Sequence, residues 1–102
     1  MKRKVELLTD AERDIEDAYG WYEARSPGLG REFLGAFQQL LESLNRYPTR
    51  HGIVARRTRR IAMRRFPYAV LYVVEADRVL IVAAVHTHRD PGKWTWRVED
   101  EA

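Results

Sequence analysis

Arginine dominates the middle of this chain. Arg46, Arg50, Arg56, Arg57, Arg59, Arg60, Arg64 and Arg65 fall within twenty residues, with no lysine among them. A guanidinium offers a planar fork of donors that grips carboxylate or phosphate bidentately, whereas solubility is served equally well by lysine. The stripe therefore reads either as a solvated face or as a docking surface for an acidic partner or for phosphates. His86 and His88 stand two apart, a spacing that puts two rings on one face of a strand and would suit two metal ligands. No third ligand accompanies them, so no metal site is expected. Gly28 and Gly30 flank Leu29, but no strand precedes them and the longer glycine pattern of a phosphate loop is missing. They are expected to be turn residues. The chain has no cysteine, which excludes disulfides and thiolate metal cages. No cofactor is expected.

The net charge of +3 conceals an asymmetry. Acid gathers early, at Glu6, Asp10, Glu12, Asp14, Glu16 and Asp17, and again at Glu99, Asp100 and Glu101. At 102 residues, 45% of them hydrophobic, the chain has the material for one compact domain over 1–102. The start Met1-Lys2-Arg3-Lys4 runs into a mixed stretch too short for a secretory core. No apolar run approaches the roughly 18 residues that cross a bilayer. No membrane association is expected, and the absence of cysteine fits a reducing compartment, so the expected location is cytoplasmic.

These side chains must be held by a scaffold, and hydrophobic periodicity outlines it. Lys4 to Leu8 reads as an opening strand. Thr9-Asp10-Ala11-Glu12 has the form of a capping box, with the Thr9 hydroxyl facing the Glu12 amide. Ala11, Ile15, Ala18, Tyr19 and Tyr22 recur at helical spacing to about Arg25, where Ser26-Pro27-Gly28 stops the helix. Phe33, Phe37, Leu40, Leu44 and Tyr47 step by four and three, predicting a second helix from about Gly30 to Arg46 that Pro48 closes. So short a link makes the two helices an antiparallel hairpin. Trp21, Tyr19 and Tyr22 then read as hairpin core and rim rather than as a base-stacking platform. Beyond Ile53 the period changes: Thr58 to Arg65, Ala69 to Val74 and Val79 to Val85 read as strands, with a turn at Glu75 to Arg78 and turn chemistry at Arg89 to Gly92. The expected order is βααβββ, an α+β fold with a helical hairpin packed on a small antiparallel sheet.

The last two strands do not alternate apolar with polar. Val70, Tyr72 and Val74 oppose Leu71 and Val73, while Ile81, Ala83 and Val85 oppose Leu80, Val82 and Ala84. Both faces of the sheet centre are therefore apolar, as in sheets covered on two sides. A tight helical hairpin covers only one. The second face then awaits the tail bearing Trp94 and Trp96, a second copy or another protein, and a partner is the expected complement.

The stretch from Arg59 to Trp94 carries specific motifs. Phe66-Pro67-Tyr68 enters a strand, and His88-Arg89-Asp90-Pro91 is followed by Trp94. Upstream stand Ala11 to Tyr22, Pro27-Gly28-Leu29-Gly30, Phe33 and Pro48. In this order and spacing the chain resembles the ParE branch of the RelE/ParE toxin superfamily over nearly its whole length. The resemblance implies a toxin of a type II toxin–antitoxin system, as in plasmid stabilisation, held inactive by a cognate antitoxin that wraps it along sheet and basic groove. Arg56, Arg57, Arg59, Arg60, Arg64, Arg65 and Tyr72 are the candidates to meet that antitoxin.

The resemblance also implies a target. ParE-like toxins inhibit DNA gyrase, whereas RelE-like toxins cut mRNA in the ribosomal A site. Cutting RNA takes a group that accepts the 2′-OH proton, one that protonates the leaving oxygen, and cations around the phosphate. RelE-like enzymes typically use lysine and arginine on the middle strands and an aromatic or imidazole near the end. This chain has lysine only at Lys2, Lys4 and Lys93, and no tyrosine after Tyr72, which speaks against an endoribonuclease. His88 speaks for one, since it falls about where some ribosome-dependent relatives keep a catalytic histidine; Arg60, Arg64 or Arg65 would hold the phosphate. Gyrase inhibition is the leading expectation. A ribosome-dependent nuclease and an inactive binding module of the same fold are the alternatives.

Overall fold

The structure, a computed structural model, describes residues 3–89. Along the chain run β1 (Lys4–Leu7), α1 (Thr9–Arg25), α2 (Leu29–Arg46), β2 (Ile53–Ala55), β3 (Thr58–Ala62), β4 (Tyr68–Val74) and β5 (Arg78–His86). The strands form one sheet in the order β1-β5-β4-β3-β2, with both helices on the same face. The α+β class and the helical hairpin are as the periodicity predicts. The sheet is mixed rather than wholly antiparallel: β1 pairs parallel with β5, from Lys4 opposite Arg78 to Leu7 opposite Ile81. Pairing direction between strands at opposite ends of a chain is not written in local periodicity. The extra strand β2 is only three residues long, too brief to show an alternation.

Helix α1 begins without the expected capping box. Leu8 occupies the cap position, with no side-chain hydrogen bond there. Its amide donates to the Ile81 carbonyl at 3.0 Å and its carbonyl accepts from Glu12 at 3.0 Å, so the strand itself delivers the chain into the helix. With Leu8 anchored, Thr9 is already helical and its hydroxyl has no capping role.

The core on the helix face is built from the apolar stripes of α1 and α2 against Val70, Tyr72, Val79 and Ile81. At its α1–α2 end four rings interlock. Phe33, fully buried, lies 5.4 Å from Tyr22 and 5.3 Å from both Phe66 and Tyr68.

The opposite face of the sheet is apolar too, but its composition differs from simple alternation. Leu71 pairs with Ala83 and Tyr72 with Ile81, which leaves Val82 as an extra residue in β5. This bulge turns Val82 and Ala83 to the same side. Ala83 and Val85 therefore join Leu80 and Val82 away from the helices, and Ala84 returns to the helix core. Its amide donates to Asp14 Oδ2 of α1 at 3.0 Å. The expectation that this second face is left open is corrected here. Leu71, Val73, Leu80, Val82 and Ala83 are 0–7% exposed in the single chain, with Leu8, Ala55 and Val85 packed against them. Leftover apolar surface is not what points to a partner. Trp94 and Trp96 lie outside the described residues.

Candidate functional site: an arginine-lined groove beside a sheet edge

The arginine stripe is folded around the β2–β3 hairpin, and strand register decides where each guanidinium goes. Arg59 pairs with Tyr72 and Ile61 with Val70, while Arg60 pairs with Leu71. Because side chains alternate, Arg59 and Ile61 face the helices and Arg60 faces the other way. The hairpin turns at Arg56 and Arg57, and Arg56 takes φ 50°, the left-handed region that a non-glycine residue seldom adopts.

Two core groups suspend the loop between α2 and β2. The Arg59 guanidinium donates to the carbonyls of His51 at 2.7 Å and Thr49 at 3.3 Å. The Tyr72 hydroxyl donates to the Pro48 carbonyl at 3.1 Å. Burial pushes the Tyr72 phenol above its ordinary pKa, with Arg59 partly opposing the shift. Tyr72 is fully buried, so as a candidate for direct contact with a partner it is corrected to a residue that positions the loop.

Between α2 and β3 lies an open groove of about 600 Å³. Leu40, Ile61 and Met63 line it along with Arg50, Arg64 and Arg65. Not every arginine is available. Arg65 pairs with Glu32 of α2 at 2.8 Å and covers the Phe66 ring at 5.3 Å. Arg57 lies 3.6 Å from Glu75, which also holds Arg78 at 2.6 Å. The Arg78 hydrogen bond, with Arg57 adding, holds the Glu75 carboxyl below the usual range. Arg56, Arg60 and Arg64 are exposed and have no carboxylate in ion-pair range among the described residues. The chain uses Arg57, Arg59 and Arg65 for itself and holds Arg56, Arg60 and Arg64 out to solvent.

The groups considered for phosphate cleavage stand on three segments: β3, the bend after it and the turn after β5. Arg60 faces away from the helices, Arg65 is tied to α2, and His88 is exposed beyond the end of β5. The strand stops at His86, so although the two rings stand 5.9 Å apart, edge to face, they are not alternate residues of one strand. Instead His86 Nδ1 accepts from the amides of His88 at 3.1 Å and Arg89 at 3.0 Å, capping the turn. Arg89 in turn donates to the Tyr68 hydroxyl at 3.1 Å and lies 5.1 Å from the Trp21 ring. Arg25 lies 4.3 Å from the same ring. That corner escapes a sequence reading because its members are far apart in the chain.

The remaining motif residues are structural. Phe66 and Tyr68 are buried. The Tyr68 amide reaches back to the Phe66 carbonyl at 2.7 Å across Pro67, whose ring favours so tight a turn. The Pro67 carbonyl accepts from the Thr87 amide at 2.8 Å and so joins the bend to the end of β5. Asp90, Pro91 and Trp94 lie outside the described residues. Gly28 and Gly30 are turn residues: the Glu23 carboxylate accepts from both amides at 3.0–3.1 Å, filling the place a phosphate would take.

A helical hairpin on one face of a five-stranded mixed sheet, with basic side chains gathered at the β2–β3 end, defines a class of small toxin domains. Residues 5–91 match the profile of the ParE toxin of the parDE type II toxin–antitoxin system, and the chain belongs to that family. Among solved structures it is similar to the chromosomal ParDE toxin–antitoxin system from P. aeruginosa. The TM-score is 0.75 at 12% identity, over 83% of this chain and 96% of that one. It is also similar to the toxin–antitoxin complex RelBE2 from Mycobacterium tuberculosis, with a TM-score of 0.57 at 24% identity over 84% and 92% of the two chains. No curated protein sequence matches it.

Proposed function

We propose that this type II toxin is held inactive by a cognate antitoxin whose acidic, partly apolar segment enters the groove between α2 and β3, and that once released it inhibits DNA gyrase by binding rather than by catalysis. The observation that carries the antitoxin reading is the groove itself. Its apolar floor of Leu40, Ile61 and Met63 lies beside Arg64, which has no carboxylate partner among the described residues. Carboxylates on a bound segment would supply the missing counter-charge, and apolar residues between them would supply buried area. The structural relatives are themselves toxin–antitoxin complexes, which favours the same arrangement here.

The target reading rests on what an RNA-cutting relative would need and this chain lacks: lysine on the middle strands and a tyrosine after Tyr72, while Arg65 is already engaged by Glu32. The test has two arms. Purified toxin is expected to block gyrase supercoiling in vitro while leaving mRNA intact on programmed ribosomes. Coexpression with the short reading frame adjoining its gene is expected to relieve growth arrest, and Arg64→Glu to weaken that complex by tenfold or more, about 1.4 kcal/mol. The exposed imidazole of His88 favours a second reading, a ribosome-dependent nuclease, which requires A-site cleavage that His88→Ala abolishes. Harmless overexpression without an antitoxin would instead mark an inactive binding module.

A further inference from the structure

Of the four large apolar side chains exposed among the described residues, three gather where the chain enters and forms the outer strand. Tyr47 is 51% exposed, Ile53 55% and Val54 46%. The last two belong to β2, which among the described residues has a neighbour on one side only. The ladder tells which backbone groups are unpaired. The Arg60 amide donates to the Gly52 carbonyl at 3.3 Å, and Ile53 is the residue opposite Arg59. In an antiparallel ladder a pair flanked in this way is the non-hydrogen-bonded kind, so the N–H and C=O of Ile53 point away from β3. A donor, an acceptor and two half-bare aliphatic side chains thus stand together on an open edge, where an added strand finds both its hydrogen bonds and its contacts.

Charge selects the occupant. Arg50 precedes β2, Arg56 and Arg57 follow it, and no acidic residue occurs from Leu44 to Val74. A second copy pairing edge to edge would bring arginine against arginine, which guards this edge from self-association. An extended segment carrying acidic residues at its ends meets no such barrier.

We propose that β2 is completed by an extended, acid-flanked segment of a protein partner, which adds a sixth strand to the sheet through the backbone of Ile53. The inference rests on the antitoxin reading above and gives that partner a strand beside whatever it lays in the groove. Its side chains cover Ile53 on the helix side and Val54 on the other, and its carboxylates lie between Arg50 and Arg56.

The test coexpresses the full toxin with the product of the adjoining short reading frame and follows amide hydrogen exchange in the free and bound toxin. The Ile53 amide is expected to exchange rapidly when free and to slow by a hundredfold or so in the complex. In parallel, Ile53→Pro removes the outward donor along with the isoleucine side chain while leaving the β3 ladder intact. Ile53→Ala, which removes the side chain alone, is the control that binds more tightly than the proline variant. Ile53→Pro is expected to weaken the complex by roughly tenfold, whereas Ile53→Val binds within about twofold of the parent. A complex that forms with Ile53 unprotected and with all four chains binding alike overturns the strand and leaves the antitoxin reading standing. So does a complex protected only along α2 and β3. Failure to form any complex overturns the antitoxin reading and the strand with it.

Discussion

The two ends of α2 are built to opposite purposes. At its N-terminus the chain closes on itself: Glu23 accepts from the amides of Gly28 and Gly30, and the rings of Tyr22, Phe33, Phe66 and Tyr68 interlock at 4.8–6.2 Å. At its C-terminus the chain leaves Tyr47, Ile53 and Val54 half-bare, places Arg56 in a left-handed conformation, and holds out Arg56 and Arg60 with no carboxylate in ion-pair range among the described residues. A domain this small has little stability to forgo. The aromatic end compensates for the edge that is kept open. Substitutions at the first end are therefore expected to change stability, and those at the second to change binding.

The largest loss is expected at Phe33. It is fully buried among three rings, and Phe33→Ala should lower unfolding stability by about 4 kcal/mol, read from urea denaturation. Gly30 comes next. A Cβ there would sit 2.7 Å from the Tyr19 carbonyl and 2.9 Å from its ring, and the carbonyl is backbone that cannot swing aside. Gly30→Ala is expected to cost about 2 kcal/mol in the same measurement. If either change were tolerated, the aromatic end would not be the stabilising one. Arg56 tests the other end with the opposite sign. Arg56→Gly relieves the left-handed strain and should raise stability by up to about 1 kcal/mol. It also removes a cation offered to the partner, so affinity for the antitoxin should fall while the melting temperature rises.

How much of this was legible in the sequence follows from the range over which each feature is determined. The helices are periodic over several turns, and their stripes from Ala11 to Tyr22 and from Phe33 to Leu44 mark the buried faces directly. The two-faced apolar character of β4 and β5 was legible as well. The bulge at Val82 was not, because a single unpaired residue leaves the composition unchanged while reversing the side of everything after it. For the same reason the parallel pairing of β1 and the three residues of β2 could not be read locally. The arginine stripe announced a basic site. Which guanidiniums are free depends on Glu32, Glu75 and the carbonyls of Thr49 and His51, contacts that only the fold creates.

The smallest effect expected is a pH dependence that connects the two kinds of arginine. Glu75 accepts from Arg78 at 2.6 Å and lies 3.6 Å from Arg57, and these cations hold its carboxyl below the ordinary 4.5. A folded-state pKa below the unfolded one adds stability that is fully present above the unfolded value and disappears as pH falls through the folded one. Urea midpoints should therefore be level from neutrality to about pH 5 and decline below the carboxylate's ordinary pKa, with Glu75→Gln flattening part of that decline. An unchanged acid limb in the variant would remove Glu75 as its origin. Protonation also releases Arg57, the one cation of the β2–β3 turn that the chain holds back. Antitoxin affinity in acid should thus fall less than titration of the partner's own carboxylates would require, and this surplus should vanish in Glu75→Gln, where Arg57 is free at every pH.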